Sequence, residues 1–267
     1  MRSRVALTAA ALIVLLGALS RPAAPASAVV YTTKKSEWHD PACRPSKDVF
    51  SCAHIAFTYP VIERAPHPAA AGALNRAVRE YLLTSVGEPK RYASIEAAFE
   101  AFRQLYEAYK KDNRTPAALF EERVVSVLYQ SPPLISIQFD TDFYYGGLHP
   151  QYAGTFASFD ATTGSKIKLD DVLVAGYRPR LTRIAENQFR AHTGIKPGTT
   201  LHDAGYIFFK DDTFSLNDNY WFGPKGLTFF YNPYEIAPYS MGTTELLLTY
   251  RQIGELIRPD GLLRALR

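Results

Sequence analysis

Residues Leu134–Tyr144, L-I-S-I-Q-F-D-T-D-F-Y, carry the clearest pattern in the chain. Successive side chains of an extended strand point to opposite faces. Ile135, Ile137, Phe139 and Phe143 therefore share one side, and Ser136, Gln138, Asp140, Asp142 and Tyr144 the other. One face is buried and the other opens to water or to a groove. Arg123–Tyr129 reads as a strand before it. Gly146-Gly147-Leu148-His149-Pro150 makes a turn after it, and a further strand runs through Phe159. Asp160–Gly164 is a turn, and Lys166–Leu169 a short strand.

Towards the N-terminus the period changes from 2 to 3.6. A helix is expected from about Ile95 to Lys111, with Ser94 as its cap and Ile95, Phe99, Phe102, Tyr106 and Tyr109 on one face. Another spans about Pro68–Ser85, with Pro68 at its first position and a stripe of Leu74, Ala77, Val78, Tyr81 and Leu82. Val49–Tyr59 looks like a strand ending at Pro60, and residues 29–46 read as a loose, polar entry segment. Towards the C-terminus a helix is expected at Arg178–His192, while 195–212 resist assignment. Asn219–Phe222 and Leu227–Tyr231 flank Gly223–Gly226 as a hairpin. A strand at Thr243–Tyr250 and a short helix from Ile253 follow. The class is α+β, a largely antiparallel sheet packed with two to three helices. Two subdomains are expected, at 47–118 and 119–267.

Residues 1–28 have the order of a signal peptide: Arg2 and Arg4, the uncharged run Val5–Leu19, then Ala26-Ser27-Ala28. The run is short for a bilayer span, which needs roughly 20 residues. Cleavage is expected after Ala28, giving a periplasmic or secreted chain with no membrane span in its mature form. Removing 28 of 267 residues leaves 239, enough for a sizeable core. The formal charge of +4 includes Arg2, Arg4 and Arg21, so the mature chain is near +1. With no Lys/Arg cluster, no nucleic-acid partner is expected. In an oxidising compartment Cys43 and Cys52 are most simply a disulfide, whose closure contributes about 2.5–3 kcal/mol in the chain-entropy model. A metal pair with His39 and His54, or a thiol nucleophile beside His54, has less behind it.

The chain has no P-loop, no G-x-S-x-G elbow, no H-E-x-x-H and no dinucleotide fingerprint, which weighs against a familiar enzyme. Two segments hold the candidate surface. The first supplies Asp140, Asp142, Tyr144, Tyr145 and His149: two carboxylates on one strand face, then tyrosines and a histidine at the turn. Carboxylate plus imidazole is an ordinary ligand set, but no metal or cofactor is expected. The plainer reading is a solvated strand face and a packed turn. In the second, Asn232–Gly242, Pro233 and Pro238 exclude a helix interior. Tyr234, Glu235 and Tyr239 then stand on a stiff loop, either for recognition or to plug the end of the sheet.

These segments carry a resemblance. Y-Y-G-G-L-H-P (144–150), F-D-A-T-T-G-S-K-I-K-L-D-D-V-L (159–173) and G-L-T-F-F-Y-N-P-Y-E-I-A-P-Y-S-M-G (226–242) resemble an extracytoplasmic family of domains of unknown function. It is similar to the outer domain of RsiV-type anti-sigma factors and to the N-terminal region of a secreted peptidoglycan deacetylase. The match runs from about residue 120 to 257. It implies an α+β fold and a cell-envelope role, and in RsiV-type members the domain binds lysozyme. The chain departs from those proteins in showing no sigma-binding segment, no central transmembrane helix and no deacetylase domain. Leu148 stands where the family's turn suggests Ala. The reading is a non-enzymatic envelope protein that binds a lysozyme-like protein or a peptidoglycan fragment through Asp142, Tyr144, Tyr145, His149, Tyr234, Glu235 and Tyr239. The alternative is a cell-wall glycan or peptide hydrolase using Asp140, Asp142, Glu235 and His149, which requires those four groups to line one cleft.

Overall fold

The computed structural model describes residues 28–43, 52–112 and 119–264. The expected leader, up to residue 27, and the start of the expected strand at 49–51 lie outside the described residues. Five strands form one sheet in chain order: β1 (Val30–His39), β2 (His54–Arg64), β3 (Phe120–Ser131), β4 (Leu134–Tyr144) and β5 (Gln151–Asp160). All neighbours are antiparallel except β2 and β3, which run parallel over His54–Thr58. A parallel pair needs a crossover, and the helices α1 (Pro68–Leu83) and α2 (Ile95–Lys111) supply it.

The expected alternation on β4 decides which face the helices cover. Ile135, Ile137 and Phe139 pack in one core with Leu74, Val78 and Leu82 of α1 and with Phe99 and Phe102 of α2. The Ser94 hydroxyl accepts from the Ala97 amide at 3.2 Å and so caps α2. Lys110 and Lys111 sit in its last turn, where positive charge favours the helix dipole.

Residues 30–39, expected as a loose entry segment, form strand β1. It lies at the sheet edge with most of its side chains exposed. An edge strand is protected by charge and polarity, so it lacks the apolar alternation that marks β4. Strand β2 runs past Pro60 to Arg64, beyond its expected end. Its ladder to β3 stops at Thr58, so at Pro60 only the β1 ladder remains and the missing N–H is tolerated as on an edge.

Cys43 and Cys52 form a disulfide. Asp40 anchors the start of that loop. Its amide donates to Ala53 O at 2.9 Å, and its carboxylate accepts from the Ala42 amide at 3.0 Å and the Tyr106 hydroxyl at 2.7 Å. The Tyr106 bond, helped by the Ala42 amide, holds the Asp40 carboxyl below its usual range against the opposing effect of burial. Tyr106 in turn is pushed up to about 12, first by burial and then by Asp40.

Three further strands, β6 (Tyr220–Phe222), β7 (Gly226–Tyr231) and β8 (Thr244–Thr249), form a second antiparallel sheet. The short α3 (Leu169–Val172), α4 (Arg178–Thr193) and α5 (Tyr250–Ile253) complete this half. Where a short strand was expected, Lys166 makes a single bridge to Phe159, and from Leu169 the chain is helical. A second core gathers Leu181, Ala185 and Phe189 of α4 under Phe222, Phe229, Leu246 and Leu248.

The two sheets meet along a buried polar seam. Ser158 Oγ accepts from the Phe222 amide at 2.8 Å, and Ser136 Oγ donates to the Phe222 carbonyl at 2.6 Å. The two hydroxyls lie 2.7 Å apart, which closes the cycle. The free edge of β5 is covered by side-chain amides. Asn232 and Asn219 accept from the amides of Gly154 and Phe156, each at 2.7 Å, and both donate to Gly154 O. The fold is α+β with two mostly antiparallel sheets, compatible with two subdomains. The first sheet draws strands from both sides of residue 118, while the second core begins at Ile167, with Leu134 joining it from β4. Among the described residues no helix is long and apolar enough to cross a membrane.

Candidate functional site

The two candidate segments meet at the Pro150 carbonyl. It accepts from Tyr239 OH at 3.0 Å and from His149 Nδ1 at 2.7 Å. The same Nδ1 lies 3.2 Å from the Gln151 side-chain amide nitrogen. Tyr234 OH lies 3.4 Å from His149 Nε2, a long hydrogen bond. The His149 ring packs on Tyr239 with centroids 4.0 Å apart and lies near-parallel to Tyr234 at 6.5 Å. The Tyr234 and Tyr239 ring centroids are 5.5 Å apart, so three rings from two distant segments form one cluster.

Local backbone explains why these rings converge. Gly146 and Gly147 have φ of 95° and 114°, values open to glycine and costly for a residue with a Cβ. They turn the chain sharply after β4 and bring His149 back over the sheet end. Tyr234 has φ of 66° without being glycine, and its side chain is 52% exposed. Such a conformation persists only where surrounding contacts impose it.

The remaining candidates separate from this cluster. The Tyr144 hydroxyl donates to Gly147 O at 3.0 Å and braces the turn. Tyr145 turns to the helix-covered side. Its hydroxyl donates to Glu121, its carbonyl accepts from Tyr109 OH at 2.8 Å, and its ring packs near Phe102 and Phe143. Burial, and then Glu121, raise its phenol well above the usual range. Glu121 also pairs with buried Arg123 at 2.5 Å, and Arg123 donates to Tyr81 O at 2.7 Å. Tyr145 thus belongs to an internal polar network beneath the helices. Sequence alternation missed this because the strand ends at Tyr144, where period 2 stops governing direction.

Glu235 accepts from the Asn217 amide side chain at 2.6 Å and from the Asn232 backbone at 2.8 Å, closing its own loop. Asp140 accepts from Tyr152 OH at 2.6 Å. Asp142 faces Glu122 and Tyr152 across the neighbouring strands. Partial desolvation, then Glu122 and Asp140, raise its carboxyl above the ordinary aspartate range. Asp140, Asp142, Glu235 and His149 share no hydrogen bond among the described residues, and none of the four lines the groove beside the three-stranded sheet. No group of three or more His, Cys, Asp or Glu suited to a metal occurs among the described residues. Sequence reasoning did not single out Pro150, whose carbonyl joins the cluster, because a backbone oxygen leaves no compositional signal.

Residues 170–251 match the family model described as a protein of unknown function, DUF3298. That span takes in the Tyr234–Tyr239 loop and the second sheet but not His149. A solved DUF3298 family structure from Bacteroides fragilis NCTC 9343 is similar with a TM-score of 0.70 at 20% identity, over 87% of this chain and 95% of that one. One from Pseudomonas aeruginosa PAO1 is similar with a TM-score of 0.64 at 20% identity, over 86% and 95%. These likenesses establish the fold. Among curated proteins none matches the chain.

Proposed function

We propose that this chain is an exported, non-enzymatic binding protein of the cell envelope. Its recognition surface is the cluster of His149, Tyr234 and Tyr239, with Tyr144 at the base of the turn and Asp142 on the adjoining strand face. One observation carries this reading. Tyr234, more than half exposed, is held at positive φ against His149 on a loop that Glu235 closes through Asn217 and Asn232. Strain of this kind is concentrated where a side chain must be presented. Rigid, exposed tyrosines bury large area at small entropy cost.

The resemblance points to the ligand class: a lysozyme-like protein or a peptidoglycan fragment. The Cys43–Cys52 disulfide suits an oxidising compartment, and the basic, apolar, small-residue order of residues 1–28 suits export. Retention of lysozyme or of muropeptides on the immobilised chain at physiological salt tests the reading. Binding of one of them, reduced about tenfold or more by Tyr234→Ala or Tyr239→Ala, is expected for anchors of this kind. No retention of either ligand removes the proposal.

A further inference from the structure

A groove of about 950 Å³ follows the outer face of the three-stranded sheet, and no member of the His149 cluster lines it. Trp221, Thr228 and Leu247 stand abreast on β6, β7 and β8. Residues paired across strands present their side chains on one face. Their chain neighbours Phe222, Phe229, Leu246 and Leu248 point into the core, so this trio faces the groove.

Trp221 is built as a platform. A Cβ on Gly223 would fall 2.5 Å from Trp221 Cζ3 and 2.9 Å from Cη2. Its six-membered ring therefore rests directly on the Gly223 backbone. Gly223 is absent from the positive-φ residues, so glycine is needed here for close approach and not for torsion. The part-exposed indole lines the groove. Around it are groups suited to hydroxyls. Gln252 donates to Gln188 Oε1 at 2.9 Å, and the Gln188 amide nitrogen makes no hydrogen bond among the described residues. Lys225 and Arg251 are exposed on the same groove and form no ion pair among the described residues, against the single acid Glu245.

A flat aromatic face, amide partners for hydroxyls and two uncommitted cations form the complement of a sugar ring bearing a carboxylate. We propose that this groove binds an acidic oligosaccharide, with a pyranose ring stacked on Trp221 and the carboxylate held by Lys225 and Arg251. The site is separate from the His149 surface, and either can fail without the other.

The chain has only two tryptophans, and Trp38 packs against Phe102 and Tyr106. The indole N–H signals in nitrogen-15 spectra of the full chain therefore read the site directly. Trigalacturonate serves as the acidic probe and chitotriose as the neutral one. Trigalacturonate is expected to shift the Trp221 signal and leave Trp38 in place. Lys225→Glu, on the exposed hairpin, should weaken this binding about tenfold or more, as loss of a charge-assisted contact does. Tyr234→Ala should leave it unchanged, and ligand-free Trp38 and Trp221 signals at their wild-type positions show that both halves of each variant are folded. A Trp221 signal unmoved by millimolar trigalacturonate overturns the proposal. So does chitotriose binding as tightly with no loss in Lys225→Glu.

Discussion

Asp142 shows how the strand face behaves at the scale of one residue. Its neighbours on the open face are Glu122, paired with it across β3, and Asp140, two residues back. Partial burial disfavours its ionised form and both carboxylates repel it, so folding raises its pKa. A carboxyl raised on folding contributes favourably at low pH, and that contribution is lost as pH rises through the folded-state value. Asp142→Asn should therefore raise the melting temperature near neutrality. The gain should vanish as melts are repeated from about pH 7 down to about pH 3, below the ordinary carboxylate range. A variant less stable than wild type at neutral pH would contradict this account. The alternation of Leu134–Tyr144 placed Asp140 and Asp142 on one face correctly. It could not show that Tyr152 would engage one and leave the other crowded, because cross-strand partners depend on register.

At the scale of elements, the informative contrast is between β4 and β1. Strand β4 is buried on one face along most of its length, so burial wrote a period of 2 into its residues. β1 has a single partner and mostly exposed side chains, and its sequence looks like a loop. The other edge, β5, is handled by amides: Asn232 is the hydrogen-bond partner of Gly154 N–H, and Asn219 of Phe156 N–H. Asn232→Ala removes that acceptor, while Gly154 O keeps its bond from Asn219. An orphaned, part-buried amide costs about 1–3 kcal/mol, and an uncovered edge invites pairing with another chain. Urea unfolding should show the loss and gel filtration some self-association. Asn232→Asp, which keeps an acceptor, should be milder.

At the scale of the whole molecule, the two cores are joined through Ser136, Ser158 and the Phe222 peptide. Ser136 and Ser158 are fully buried, so every group in the cycle depends on the others. Ser158→Ala leaves the Phe222 N–H without its acceptor, at about 1–3 kcal/mol. Because the seam lies between the sheets, both cores should respond. Loss of a single cooperative transition, read by fluorescence of Trp38 in one half and Trp221 in the other, is the expected outcome. An unchanged midpoint for both would show that the seam contributes nothing. The groups named for the hydrolase alternative can be followed at the same scale. Glu235 closes its own loop, Asp140 accepts from Tyr152, and His149 bonds to Pro150 and Tyr234.

The amino-acid order by itself determined the helices α1, α2 and α4, strand β4, the hairpin around Gly223 and the pairing of two nearby cysteines. Each of these is governed by local periodicity, chain stiffness or short loop closure. Only the tertiary structure decided that His149 would meet Tyr234 and Tyr239, and that Tyr145 would turn inwards. It also decided that Trp221, an ordinary hairpin residue in the sequence, would line the groove beside the three-stranded sheet. Those outcomes depend on contacts between residues far apart in the chain, which leave no period to read. The reason is physical: hydrogen-bond partners and ring contacts are set by strand register and by the approach of two sheets, and neither is a local property.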